Sequence, residues 1–143
     1  MLRCQLQSGR LVTVVASTPL TLEEIAAADV EMCKARQRAV GKVVICADYR
    51  QMTLLGPTEV EALVAMFKRH NLGIERSAIL SSATSALAVL QMVRIVKEAR
   101  SPTRKAFHEP AEVQTWLGEI LTPEESAALG TALRDASGAS GSA

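Results

Sequence analysis

Glu75-Arg76-Ser77-Ala78-Ile79-Leu80-Ser81-Ser82 runs into an apolar stretch, which gives way to Arg104-Lys105-Ala106-Phe107-His108-Glu109-Pro110, then Gln114-Thr115-Trp116-Leu117 and Leu121-Thr122-Pro123-Glu124-Glu125. Strand and helix patterns alternate here with short joins, which is how an α/β domain is written. Arg76 to Ser81 reads as a strand. Ser81-Ser82-Ala83-Thr84-Ser85 is a joint of small residues, with Ser82 or Thr84 as the expected helix cap. Leu87, Val89, Leu90, Met92, Val93 and Val96 cover more than one face of the next helix, which predicts deep packing. Ser101-Pro102 ends it, and Thr103 to His108 makes a short edge strand of mixed polarity. Val113, Trp116, Leu117 and Ile120 recur at three and four residues, so Trp116 is expected in the core. Thr122-Pro123-Glu124-Glu125 starts a last helix, with Thr at the cap, Pro in the first turn and Glu near the positive dipole end. Its apolar face is Ala128, Leu129, Ala132 and Leu133.

Working upstream, Ser8-Gly9 is a turn signal between two strands of a hairpin over 3–16. Leu6 between Gln5 and Gln7 gives its first strand one wet face. Thr21-Leu22-Glu23-Glu24 is a capping box, and a helix follows to about Arg38, with Gly41 expected to end it. Its inward stripe is read as Leu22, Ile25, Ala28 or Asp29, and Met32, with Lys34, Arg36 and Arg38 outside. Lys42-Val43-Val44-Ile45-Cys46-Ala47-Asp48 is apolar without alternation, the mark of a central parallel strand covered on both faces. A loop is expected from Tyr49 to Gly56. Pro57 then suits a first helical turn, Thr58-Glu59-Val60-Glu61 offers a second capping box, and Val60, Leu63, Val64 and Phe67 share one face. The helix stops near His70. The order is β-β-α-β-α-β-α-β-α-α: a single-domain, mixed but mostly parallel sheet with helices packed on it. The domain is expected over 1–136. The remaining Ser, Gly and Ala residues, 137–143, read as a disordered tail.

Size and composition narrow the function. A chain of 143 residues suits one domain. Aromatic residues are only 3%, so the core must be aliphatic and there is little on which to stack bases. A net charge of +1 exerts no pull on phosphate backbones, and nucleic acid is not an expected partner. Cys4, Cys33 and Cys46 match no zinc spacing, and a reduced, cytoplasmic compartment is expected. The start of the chain lacks a signal-peptide apolar run, and no stretch approaches the length of a membrane span.

No catalytic constellation is legible. Ser81-Ser82 lies at a strand-to-helix joint but lacks the Gly-x-Ser-x-Gly elbow. His70 and His108 have no carboxylate or cysteine at metal-ligand spacing, so no metal and no cofactor is expected. His70 closes a helix, where a cation suits the dipole. Asp48 ends a central strand, where open α/β sheets bind ligands. Gln91 and Arg94 interrupt an apolar helix and mark either its solvent edge or a contact with a partner or a second copy.

The order of elements resembles the STAS fold of anti-sigma-factor antagonists, and still more the bacterial SpoIIAA-like, or STAS/CRAL-TRIO-like, group. That group shows a Glu-Arg-x-Ala strand, a basic-x-Phe strand and a Trp-Leu helix. Here these read Glu75-Arg76-Ser77-Ala78, Arg104-Lys105-Ala106-Phe107 and Glu112-Val113-Gln114-Thr115-Trp116-Leu117. The resemblance implies a non-enzymatic signalling or scaffold module whose partner is another protein, a kinase or regulator, and leaves room for a homodimer. It places the contact at Asp48, Tyr49, Arg50, Met52 and Thr53, beside the Ser81–Ser85 joint. The antagonists carry a phosphorylatable serine in Asp-Ser-Ser-Gly after the central strand. This chain has Asp48 there but no such motif, which leaves Thr53 and Thr58 as the hydroxyls for phosphorylation, with Thr58 doubling as a helix cap. The CRAL-TRIO-like kinship implies the alternative, a carrier or sensor of a small apolar or lipid-like ligand.

Overall fold

The structure, a computed structural model, describes residues 1–82 and 84–141, with side chains as far as Asp135. The elements are β1 (Leu2–Ser8), β2 (Leu11–Ser17), α1 (Leu22–Arg38), β3 (Val43–Gln51), α2 (Pro57–His70), β4 (Ile74–Ser81), α3 (Ala86–Ala99), β5 (Arg104–Phe107), α4 (Pro110–Gly118) and α5 (Pro123–Gly141). A 3-10 turn, Asn71–Gly73, joins α2 to β4. This is the order read from the sequence. The stretch 137–143 falls on the end of α5, where side chains are not described, and on 142 and 143, which lie outside the described residues.

The sheet runs β1-β2-β3-β4-β5, with β1 antiparallel to β2 and the other pairs parallel. Each crossover steps the same way along the sheet, and crossovers of one hand then place their helices on one face. The core divides accordingly. Val12, Val14, Val43, Ile45, Tyr49 and Ile79 pack under α1, α2 and α3. Leu11, Val44, Cys46, Ala78 and Leu80 pack against Val113 and Leu117 of α4 and Leu129 and Leu133 of α5. Both faces of β3 are covered, which is why its sequence does not alternate.

Local chemistry seats these elements. The α1 capping box is complete: Thr21 Oγ1 accepts from Glu24 N–H and Glu24 from Thr21 N–H. At α5, Thr122 and Glu125 make the same exchange, at 3.2 and 2.8 Å. Glu125 also accepts the Arg10 N–H at 2.6 Å, which docks the β1–β2 turn on α5. Gly9 in that turn has φ +54°, and a Cβ there would collide with Glu125 Oε2. Only glycine satisfies both conditions.

Several local expectations are corrected. β3 continues to Gln51, because Tyr49 still pairs with Ser81 of β4 and Gln51 with Ser17 of β2; the expected loop at 49–51 is strand. Leu22 is exposed, and the inward stripe of α1 is Ile25, Ala28, Met32 and Ala35. Ala39, not Gly41, caps α1 at its C-terminus. Thr58 caps nothing: Gly56 is the N-cap of α2 and Pro57 starts the helix. Ser85, rather than Ser82 or Thr84, caps α3 by accepting the Ala88 N–H. α3 is not deeply packed. It buries Met92, Ile95 and Ala99 and turns Leu87, Leu90 and Val93 to solvent.

Candidate functional site

The strands β2, β3 and β4 point their carboxyl ends at one edge, where ligands of open α/β sheets bind. Asp48 and Arg50, two apart on β3, share the face beneath α5. Arg50 donates from Nε and Nη2 to the two Asp48 oxygens at 2.9 and 2.7 Å, and its N–H donates to Oδ1 at 3.2 Å. The same Nη2 reaches the Leu133 carbonyl at 3.4 Å. The fork occupies the carboxylate, and the hydrogen bond to Asp48 raises the Arg50 pKa.

Tyr49 points the other way, into the core. Its ring stacks on Phe67 at 6.5 Å between centroids, and burial pushes its phenol pKa up. Met52 is buried too, its N–H donating to the Tyr49 carbonyl at 3.0 Å. Of the five residues expected at the contact, Asp48, Tyr49 and Met52 are therefore interior. Arg50 is partly exposed and Thr53 exposed. Thr58 is exposed in the first turn of α2.

Thr53 joins two loops. Its N–H donates to Thr18 Oγ1 at 3.1 Å, and the two hydroxyls lie 2.8 Å apart. An open groove of about 550 Å³ forms between the loops, lined by Thr18, Pro19, Leu20, Thr53, Leu54, Leu55, Gly56 and Glu59. Gln91 of α3 holds its wall by bonding both backbone groups of Leu55. Sequence reasoning left Gln91 open between the solvent edge of its helix and a contact with a partner or a second copy, and did not join Thr18 to Thr53. The available signal was the apolar pair Leu54-Leu55 inside a loop.

Where β4 ends and just past β5, Ser81 Oγ lies 3.3 Å from His108 Nδ1, and that nitrogen is also 3.2 Å from the Ser81 carbonyl. A carbonyl only accepts, so Nδ1 carries the proton and is not free to take one from the serine. Ser82 and Thr84 bond each other; residue 83 lies outside the described residues.

Asp29, Cys33 and His70 bring potential metal ligands within 4.8 Å of one another, a convergence of α1 and α2 that sequence spacing did not reveal. His70 is buried, and burial lowers its pKa. Its role differs from a cation on a helix dipole. Arg36 is a pure donor and sits 3.0 Å from Nδ1, so Nδ1 accepts and Nε2–H donates to Asp29 at 2.6 Å. Nε2, the nitrogen turned toward the other ligands, thus carries the proton and not a free lone pair. Arg69 also pairs with Asp29. For Asp29, burial opposes ionisation, but the bonds from His70 and Arg69 outweigh it and lower its pKa. The group is a satisfied His–Asp–Arg network, and its donor set does not fit a metal ion as it stands.

Beneath the α1–α2 layer, Tyr49, Phe67, His70, Ser77 and Arg104 help to line a cavity of about 30 Å³. That is room for a water or two. The three cysteines are free; burial pushes the thiol pKa of Cys4 and of Cys46 up to about 12. No described helix is long and apolar enough to cross a membrane.

No protein-family model and no curated protein matches the chain. Its fold is similar to the solved structure of the anti-sigma factor antagonist SpoIIAA in its unphosphorylated form. The TM-score is 0.57 and the identity 11%, over 85% of this chain and 100% of that one. At this identity the likeness is one of fold, and the STAS, SpoIIAA-like fold expected from the sequence is the fold observed.

Proposed function

We propose that this chain is a regulatory module that acts by binding another protein at the carboxyl end of β3. The observation that carries the reading is the groove held open between Thr18 and Thr53 on a fold shared with an anti-sigma factor antagonist. Arg50, Thr53 and Leu54 make the contact. Asp48, Tyr49 and Met52 support it from beneath, the first by orienting Arg50 and the other two by anchoring the end of the strand in the core. The partner is a kinase or another regulatory protein, and the setting is cytoplasmic. Thr53 and Thr58 are exposed beside the α2 N-terminus, where a phosphate meets a favourable dipole, so both are within reach of a kinase.

A non-enzymatic role is supported by the Ser81–His108 pair, whose imidazole nitrogen is turned to a carbonyl. The cavity beneath the α1–α2 layer does not support the alternative, an apolar-ligand carrier: at about 30 Å³ it is far smaller than an acyl chain needs.

Affinity capture from the source cells tests the reading. A stoichiometric protein is expected with the wild type and lost with Thr53→Glu combined with Leu54→Asp. Equal recovery by the variant, or a lipid retained in native mass spectrometry in place of a protein, overturns it. Phosphopeptide mapping that finds neither Thr53 nor Thr58 modified removes the kinase and leaves the contact.

A further inference from the structure

α3 leaves an apolar strip that neither core uses. Leu87, Leu90 and Val93 are 62%, 63% and 53% exposed. The cause is topological. α3 is the last helix of its layer, with α2 on one flank and only the short edge strand β5 beyond it on the other. Leu54, 51% exposed, adjoins the strip, because Gln91 clamps the following residue, Leu55, to α3. Four large side chains at about half exposure amount to about 400 Å² of apolar surface, comparable to the largest patch on a typical monomer, which is often functional.

We propose that this strip is the seam of a homodimer, with α3 packed antiparallel on α3 of a second copy and Leu90 nearest the two-fold axis. Leu87 and Val93 stand three residues either side of Leu90, so the antiparallel arrangement sets each against the other's counterpart. The rim suits a copy of itself. Arg94 and Lys97 are balanced by Glu98, which Arg94 pairs with, and by Glu61, whose charge acts on Arg94. A neutral rim draws neither an anionic membrane nor nucleic acid, whereas a two-fold contact matches both signs. The area agrees: two strips bring about 800 Å² of apolar surface, and a homodimer interface about 65% apolar would then bury about 1,200 Å², the lower edge of specific interfaces. The dimer is therefore a weak, concentration-dependent one, and of the residues that line the groove it uses Leu54 alone.

Sedimentation velocity from micromolar to millimolar protein tests this. The wild type is expected to pass from monomer to dimer. Leu90→Asp, at a site too exposed to harm folding, is expected to weaken the dimer about tenfold or more, by desolvating a charge at the seam. Leu72→Asp, 91% exposed elsewhere, leaves it unchanged. In a Cys33→Ser background, Leu90→Cys is expected to cross-link two copies on mild oxidation, and Leu72→Cys not. A monomer at every concentration, or a dimer indifferent to Leu90→Asp, overturns the proposal. So does a strip whose Leu90→Asp loss appears only in binding to phosphatidylcholine–phosphatidylglycerol vesicles or to a different protein. Thr53→Glu with Leu54 intact leaves the dimer in place, which separates this outcome from failure of the groove.

Discussion

The side-chain amide of Gln91 completes both backbone hydrogen bonds of Leu55, accepting from its N–H at 3.0 Å and donating to its carbonyl at 3.1 Å. A helix of one βα unit thereby imitates a strand partner for a loop of the preceding one. Thr18 holds the β3–α2 loop at Thr53, and this one side chain holds it at Leu55.

Gln91→Ala leaves two half-buried backbone groups without that partner, and a loss of about 1–2 kcal/mol is expected in urea unfolding. Amide exchange at Leu54 and Leu55 is expected to quicken while the strands keep their protection. Unchanged exchange there would show that the clamp does not hold the loop.

The His70 network makes stability depend on pH. Arg36 faces Nδ1, so charging His70 sets a new N–H against a guanidinium, and burial already keeps its pKa below 6.5. Below that value the unfolded chain takes up a proton that the folded chain refuses, so stability falls as the pH drops from 6.5. Asp29, with its pKa lowered, adds a further loss in stronger acid. Urea midpoints between pH 8 and pH 5 are expected to decline on the acid side, and His70→Gln to flatten that decline. A midpoint that rises on acidification contradicts the assignment.

Two glycines separate backbone strain from contact. Gly41 has φ +87° with open space where a methyl group would stand, whereas Gly9 has φ +54° and meets Glu125. Both alanine substitutions carry the left-handed penalty of about 1–2 kcal/mol. Gly9→Ala is expected to cost more, because it also displaces the carboxylate that caps α5. Equal losses in thermal melts would mean that the turn does not depend on Glu125.

Arg104 is buried over the Phe67 ring, 4.6 Å from its centroid, and donates to Asn71 Oδ1. Burial lowers its pKa, and among the described residues no carboxylate pairs with it. Arg104→Met, similar in reach and apolar, is expected to hold stability within about 1 kcal/mol. Arg104→Ala enlarges the cavity and is expected to lose about 2–4 kcal/mol. A larger loss for Met than for Ala would show that the charge itself stabilises the core.

Periodicity and caps reach across only a few residues, and what they encode was legible. Thr21-x-x-Glu24 announced α1, Ser8-Gly9 the hairpin, and the unbroken run Val43–Cys46 a strand buried on both faces. The errors arose where a long-range partner decides. Tyr49 followed a polar Asp48 and read as loop, but pairing with Ser81 extends the strand and buries the ring. The six apolar residues named between Leu87 and Val96 implied burial on more than one face. No local pattern says that α3 is the last helix of its layer. Two of the five expected site residues stay at the surface, since β3 runs on past the point where its sequence turns polar.

By itself, then, the sequence determined the order of elements, the α/β class and the resemblance to STAS domains. These follow from side-chain spacing and from turn and cap chemistry, which act between neighbours in the chain. Only the tertiary structure decided which hydroxyls face outward, that Thr18 meets Thr53, that Asp29 and Arg36 close on His70, and that Leu87, Leu90 and Val93 remain uncovered. Those relations join residues 34 or more apart or depend on a helix's place in its layer. They are set by strand order and by packing of the two faces, which no short window of sequence contains.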